Sequence, residues 1–187
     1  MGPVYLISNV HRSGSSMMMR CLIEGGLEGV YNNFLDNRVY QENYHPNPNG
    51  FYENVVDEFD ITNYENKLTK FPFRNLLKLP VGNYKILFLK RNPSEIFKSM
   101  LEFTPFTSWG PDMLVLEFYD EVIGYIISEL NKRADVTLIV LNYKDIVTNP
   151  VGSFNLLKEN GWDIDPVIAA SFVDETLHRF KLEEDGE

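Results

Sequence analysis

The segment at residues 3–26 is PVYLISNVHRSGSSMMMRCLIEGG, in which an apolar run passes through a short loop of small polar residues into a helical pattern. The apolar residues 4–8 predict a buried strand, and residues 16–25 predict a helix that stops at a Gly-Gly pair. A loop of this kind can turn its backbone N–H groups toward an anion at the helix N-terminus, where the helix dipole is positive. The segment therefore predicts a strand–loop–helix unit that binds an anion.

Two further apolar runs, Tyr84–Lys90 and residues 136–141, also predict buried strands. Their hydrophobicity is continuous rather than alternating, as in a parallel sheet that is covered on both faces. Helical patterns lie between and after these strands, at residues 93–103, 111–133, 150–160 and 166–180. Because strands alternate with helices, we expect an α/β fold, a three-layer sandwich around a mostly parallel central sheet.

Residues 31–73 have a different composition, rich in Asn, Tyr, Pro and Glu and weak in periodicity. They predict an irregular insert over one edge of the sheet, the kind of segment that often lines a ligand site. The whole chain, residues 1–187, is expected to form one domain, with a frayed acidic tail at residues 181–187.

The sequence carries 27 acidic and 17 basic residues, a formal net charge of −10. This balance argues against nucleic acid and against an anionic membrane as partners, since both require a basic surface. It allows one small anionic ligand, for which a few local cations suffice. The single cysteine, Cys21, favours a reducing compartment, so we expect a cytoplasmic protein. The histidines and the cysteine show no metal-ligand spacing, so no metal is expected.

The loop HRSGSS leaves several anion-binding functions open. It has no glycine before Gly14 and no Gly-Lys-Ser/Thr ending, which disfavours an ordinary ATP or GTP hydrolase with a Walker A loop. It is also similar to the phosphatase pattern His-Cys-x-x-Gly-x-x-Arg, but Arg12 stands where the nucleophilic cysteine would be. The remaining alternative is a Gly-Ser turn that only caps the helix.

A second group of polar residues follows the strand Tyr84–Lys90, in KRNPSEIFKSM. Arg91 stands at the carboxyl end of the strand, and Ser99 lies eight residues further on in the next helix. Ligands of open α/β sheets bind at the carboxyl ends of strands, so we expect Arg91 in the same crevice as the loop. Arg91 can grip a phosphate with two hydrogen bonds, and the Ser99 hydroxyl can donate another. Two anion sites on one rim predict a nucleotide with phosphate at both ends.

Five motifs resemble those of PAPS-dependent sulfotransferases, in particular the compact bacterial members. HRSGSSMMMRCL resembles the family's 5′-phosphosulfate loop, and RNPSEIFKSM resembles its 3′-phosphate motif. LNYKDIVTNPVGSFNLLKENGWDIDP, NPNGFYEN and FVDETLHRF are similar to three further family landmarks. The resemblance implies a P-loop nucleotide-binding-like fold. It also implies transfer of a sulfuryl group from PAPS to a hydroxyl or amine, with release of PAP.

The resemblance assigns roles to individual residues. Arg12 would neutralise charge on the bridging and phosphate oxygens as the bond to sulfur breaks. Arg91 and Ser99 would hold the 3′-phosphate, and Tyr143 would either contact the adenine or pack in the core. The N–H and hydroxyl donors of the loop would be Ser13, Gly14, Ser15 and Ser16.

The chain departs from the family pattern at several points. His11 stands where a proline is usual and could contact the sulfate, and Lys144 stands where an acidic residue is common. An Arg-Lys-Gly element near the C-terminus is missing from the sequence, so Arg179 or Lys181 is the candidate for a second grip on the 3′-phosphate.

An acceptor hydroxyl needs a general base, which the family takes from the segment after the first helix. The candidates there are Glu42, His45, Glu53 and Glu58. We favour Glu53, because its aromatic neighbours in GFYEN would disfavour the charged carboxylate. His45 is the second choice, because an unperturbed imidazole titrates near neutral pH. His178 is expected to take no part.

Two alternatives to a sulfotransferase follow from the same residues. One is a nucleotide or small-molecule kinase with a degenerate phosphate loop. The other is a non-catalytic module that binds PAP or another nucleotide. For the sulfotransferase we expect a small-molecule or glycan acceptor.

Overall fold

The sheet at the centre of the fold is parallel throughout the described part of the chain. The computed structural model describes residues 2–31, 52, 64–103 and 115–178. The strands in these ranges are β1 (Val4–Asn9), β2 (Glu28–Gly29), β3 (Lys67–Lys70), β4 (Tyr84–Lys90) and β5 (Val136–Asn142). They pair in the order β2–β3–β1–β4–β5, each pair in parallel register.

Three strands, β1, β4 and β5, are each followed directly by an α-helix, and six α-helices lie in the described ranges. They are α1 (Ser15–Glu24), α2 (Pro93–Phe103), α3 (Tyr119–Asn131), α4 (Tyr143–Thr148), α5 (Pro150–Glu159) and α6 (Pro166–Ser171). Two 3₁₀ helices, Phe73–Lys78 and Glu175–Leu177, complete the described elements. In the described ranges, no helix combines the length and the apolar composition that a membrane crossing requires.

Both faces of the sheet are covered, which produces three layers. Alternate side chains of β1 enter two separate hydrophobic clusters. Tyr5 and Ile7 pack with α1, α4, α5 and α6, whereas Val4 and Leu6 pack with α2, α3 and the first 3₁₀ helix. The predicted three-layer α/β sandwich with a parallel sheet is confirmed.

The three strands predicted from apolar runs are confirmed as β1, β4 and β5, and the predicted helix starting at Pro93 is confirmed as α2. The prediction of irregular structure over residues 31–73 is wrong at Lys67–Lys70, which forms β3. A strand of four residues with a lysine at each end carries too little hydrophobic pattern to be recognised.

The predicted helix over residues 166–180 is wrong in length. The helix that forms, α6, ends at Ser171. The Asp174 side chain then accepts a hydrogen bond from the Thr176 N–H at 2.9 Å and starts a separate 3₁₀ turn. The short helix α4 was not expected.

The direction of strand addition changes between β1 and β4. From β1 the chain passes through α1 to β2 and β3 on one side, whereas from β4 it passes through α2 to β5 on the other side. Because α1 and α2 cover opposite faces, the loops after β1 and β4 diverge at this point. Such a topological switch point is where open α/β sheets bind ligands.

A polar clamp holds the turn before β4 against the start of β5. Arg133 donates hydrogen bonds to the carbonyls of Leu79 and Pro80, both at 2.8 Å, and to the Asp135 carboxylate at 2.6 Å. The Gly82 N–H donates to the same carboxylate at 2.9 Å. The hydrogen bond from Arg133, followed by that from Gly82, holds the pKa of Asp135 well below its usual range.

We expect Asp135→Asn to lower the free energy of unfolding at neutral pH by about 1 kcal/mol, because it removes the charged acceptor of the clamp. A depressed carboxyl pKa contributes stability above the unfolded pKa of 3.8, and this contribution is lost as the pH falls further. The free energy of unfolding, measured with urea from pH 7 to pH 2, should therefore fall less steeply at acid pH in the variant than in the wild type. The control is Asp163→Asn, a change at an exposed residue. If the free energy of unfolding falls equally at acid pH in the wild type and in both variants, the clamp is contradicted.

Candidate functional site

The loop between β1 and α1 has an unusual backbone. Arg12 and Gly14 both take left-handed conformations, with φ of 68° and 92°. Ser13 is fully buried, and its hydroxyl donates to the Val10 carbonyl at 2.7 Å, so this hydroxyl closes the loop. Turns of this type collect backbone N–H groups into a concave site for an anion.

Gly14 is the N-cap of α1 and makes no side-chain capping hydrogen bond. The alternative in which Ser15 or Ser16 caps the helix is therefore not what the structure shows. A Cβ atom at Gly14 would lie 2.4 Å from the Tyr143 ring, so both the φ angle and the close approach of this ring require glycine.

Tyr143 begins α4 at the carboxyl end of β5 and is buried against this loop. Its ring also lies 4.8 Å from the Arg91 guanidinium carbon, within the range of a cation–π contact. Tyr143 therefore packs between the loop and Arg91, and its contact with an adenine stays a prediction.

Arg12, Arg91 and Ser99 lie together, as their sequence positions predict. The Arg91 Nη1 donates to the Arg12 carbonyl oxygen at 3.0 Å, which joins the end of β4 to the loop after β1. The Arg12 Nε donates to the Ser99 hydroxyl at 3.0 Å, which joins the same loop to α2. Two arginines therefore meet at the switch point of the sheet.

Arg91 is almost completely enclosed, with 6% of its side chain exposed. Its Nε donates to the Glu95 carboxylate at 2.8 Å, one helical turn away on α2. Its Nη2 is buried and has no hydrogen-bond acceptor among the described residues. A buried guanidinium donor without an acceptor is uncommon and calls for an explanation such as a ligand.

The Glu95 carboxylate contacts two neighbouring side chains, those of Arg91 and His178. Besides Arg91, the His178 Nε2 lies 3.0 Å from the same carboxylate oxygen. Burial raises the pKa of Glu95, but hydrogen bonds from Arg91 and His178 outweigh it, so that the pKa is lowered and the carboxylate is charged at neutral pH. His178, for which we expected no functional role, thus lies in this cluster, and its role stays a prediction.

Lys70 is a site residue that the sequence analysis missed. It ends β3, next to β1 in the sheet, and is 8% exposed. Its Nζ donates to the Ser16 hydroxyl at 3.0 Å in the first turn of α1. The sequence gives no clear signal for Lys70, because KLTK contains a single apolar residue, Leu68.

Four charged side chains at this edge form what we call the rim cluster: Arg12, Lys70, Arg91 and Glu95. Among these described residues three are cationic and one is anionic, in a chain whose formal net charge is −10. The N-terminus of α1 adds a further partial positive charge. Within the described part of this edge, cationic side chains therefore outnumber anionic ones.

Six further predicted site residues lie outside the described residues. These are the general-base candidates Glu42, His45, Glu53 and Glu58, and the 3′-phosphate candidates Arg179 and Lys181. Cys21 is buried in the core, and burial raises the pKa of its thiol to about 12, so it is not a nucleophile. The described residues contain no group of three or more His, Cys, Asp or Glu side chains that could hold a metal ion.

No family model matches the chain, and no curated protein matches it. Solved structures similar to it include a sulfotransferase domain from the curacin biosynthetic pathway, at 14% identity and a TM-score of 0.49, over 97% of this chain and 92% of that chain. A sugar kinase from Janibacter sp. HTCC2649 is similar at 15% identity and a TM-score of 0.45, over 90% and 98% of the two chains.

Retinol dehydratase in complex with androsterone and the inactive cofactor PAP is similar at 16% identity and a TM-score of 0.44, over 90% of this chain and 62% of that chain. All three TM-scores are below 0.5.

We expect Gly14→Ala to lower the free energy of unfolding by about 2 kcal/mol or more, because alanine is strained at this φ and its Cβ would overlap the Tyr143 ring. The measurement is urea unfolding. The matched control is Gly124→Ala, in the interior of α3, where a Cβ meets no atom within 4 Å among the described residues. In that control the free energy of unfolding should rise by roughly 0.5–1 kcal/mol, because alanine favours a helix more than glycine does. If both variants are equally stable, the loop does not depend on glycine.

Proposed function

We propose that this protein is a cytoplasmic sulfotransferase that transfers a sulfuryl group from PAPS to a hydroxyl or amine of a small-molecule or glycan acceptor and releases PAP. The observation that carries the proposal is the contact between Arg12 and Arg91 at the switch point of the sheet. The Arg91 side chain meets the backbone of Arg12 there, and two arginines at one rim favour a ligand with several negative charges. PAPS carries such charges at two places, a phosphosulfate at its 5′ end and a phosphate at its 3′ position.

The first anion position is the N-terminus of α1. The helix starts at Ser15 without a side-chain capping bond from Gly14, and Lys70 brings an ammonium group to Ser16. Backbone N–H groups at a helix N-terminus bind phosphate and sulfate groups well. We assign the 5′-phosphosulfate to this position.

The second anion position lies between β4 and α2. Ser99 and Arg91 stand here, and Arg12 reaches across from the loop to the Ser99 hydroxyl. We assign the 3′-phosphate to this position. On binding, phosphate oxygens replace the Arg12–Ser99 hydrogen bond, and Arg12 becomes available to the 5′ end of the nucleotide.

The chemistry requires mainly positioning and charge stabilisation. The bond from sulfur to the leaving phosphate oxygen breaks while a bond forms from the acceptor oxygen or nitrogen to sulfur. Arg12 and Lys70 neutralise the charge that develops on the leaving phosphate. The acceptor proton passes to a general base, for which Glu53 is the first candidate and His45 the second.

We expect the protein to bind PAP in isothermal titration calorimetry and to bind Mg-ATP much more weakly. Lys70→Met should weaken PAP binding about tenfold or more, because it removes a buried cation from the 5′ position. The matched control is Lys67→Met at the other end of β3, where the lysine pairs with Glu28 at 3.3 Å, and this variant should bind as the wild type does. Strong binding of Mg-ATP without binding of PAP would instead support a kinase.

We expect Glu53→Gln to lower kcat by roughly 10²–10⁴-fold, as removal of a general base does, while the Kd for PAP stays unchanged. The assay follows the radiolabelled sulfuryl group from PAPS to a panel of phenols, alcohols, sugars and amines. His45→Gln is tested in parallel, and Glu159→Gln at the end of α5 is the control. If PAP binds and every acceptor in the panel stays unlabelled, the protein is a non-catalytic nucleotide-binding module.

A further inference from the structure

Arg91 and three neighbouring side chains form a closed ring of contacts. Arg91 touches Glu95 through a hydrogen bond of 2.8 Å and the Tyr143 ring through a cation–π contact of 4.8 Å. His178 touches the same two residues. Its Nε2 lies 3.0 Å from the Glu95 carboxylate, and its ring meets the Tyr143 ring edge to face at 5.1 Å.

The ring is enclosed, so its hydrogen bonds compete little with water. The exposed fractions of the side chains are 6% for Arg91, 12% for Glu95 and 7% for His178. A carboxylate only accepts hydrogen bonds, so the His178 Nε2 carries the hydrogen of its contact with Glu95. Arg91 and His178 therefore donate to one oxygen of Glu95 from two sides.

This arrangement fixes the direction in which Arg91 points. Its Nε is held by Glu95 and its Nη1 by the Arg12 carbonyl, which leaves Nη2 without an acceptor in the described part of the chain. A guanidinium that could rotate would bring this donor to water or to a carbonyl. The contacts with Glu95 and Tyr143 oppose that rotation. His178 contacts both of these residues.

We infer that His178 is a positioning residue for the phosphate site between β4 and α2, which it controls by holding Glu95 and thereby Arg91. The inference rests on the proposed function, because it takes the 3′-phosphate as the anion that Arg91 meets. His178 follows the 3₁₀ helix Glu175–Leu177, so the C-terminal part of the described chain becomes a structural part of the nucleotide site. His178 itself touches no nucleotide atom in this account.

The experiment compares two ligands by calorimetry, PAP and 5′-AMP, which differ by the 3′-phosphate. The ratio of their dissociation constants measures the contribution of that phosphate alone. His178→Ala should weaken PAP binding about tenfold, by analogy with the loss of an outer-shell hydrogen bond at a metal site, and should leave AMP binding within about twofold. Glu175→Gln, an exposed change in the same segment, is the control and should alter neither constant.

Two further variants separate the hydrogen bond from ring packing. His178→Gln keeps an N–H donor that reaches Glu95. The ratio of its dissociation constants for PAP and 5′-AMP should therefore lie closer to that of the wild type than to that of His178→Ala. His178→Phe keeps the ring against Tyr143 without the donor and should behave as His178→Ala does. Rescue by phenylalanine and not by glutamine would overturn the inference.

The remaining outcomes distinguish this inference from the proposed function. If the wild type binds PAP and the alanine variant keeps the wild-type ratio, the inference is wrong and the proposed function stands. Equal weakening of PAP and AMP in the alanine variant also overturns it, because that result indicates a general loss of structure. If the wild type does not bind PAP, the proposed function fails and the inference fails with it.

Discussion

The hydrogen bond from the Arg91 Nη1 to the Arg12 carbonyl oxygen connects the two strands that diverge at the centre of the sheet. At this point α1 leaves on one face and α2 on the other, so the backbone alone would leave an open crevice. The bond holds the loop after β1, in which Arg12 has a left-handed conformation, against the end of β4. The positions of Ser99, Lys70 and the first turn of α1 relative to one another depend on this loop.

Three unfavourable features coincide at this rim. Arg12 has a positive φ, α1 begins without a side-chain cap, and the Arg91 Nη2 is buried without an acceptor among the described residues. The positive φ of Arg12 and the buried donor without an acceptor each cost of the order of 1 kcal/mol or more, whereas a glycine N-cap costs much less. A buried charged pair is often no more stable than an apolar replacement. Stability alone therefore does not explain this set of residues. The anion that we propose to bind here would accept hydrogen bonds from the helix N-terminus and from the Arg91 Nη2 together.

The sequence was sufficient for the order of the main elements and for the meeting of Arg12 with Arg91. Both follow from strand–helix alternation, because the carboxyl ends of parallel strands share one edge. Lys70 was not predictable in the same way, since β3 is too short for its pattern to show. The contact of His178 with Glu95 joins residues 83 positions apart and leaves no local signal. Gly14 was recognisable as a turn residue, but its need to admit the Tyr143 ring appears only in three dimensions.

The central claim is that one doubly phosphorylated adenosine spans the two anion positions of the rim. A crystal structure of the protein with PAP tests it most directly. We expect the 5′-phosphate to accept hydrogen bonds from the first turn of α1 and from Lys70. The 3′-phosphate should contact Arg91 and Ser99, and Arg12 should have left the Ser99 hydroxyl. PAP bound away from these residues, or an Arg12–Ser99 hydrogen bond that is still intact in the complex, would contradict it.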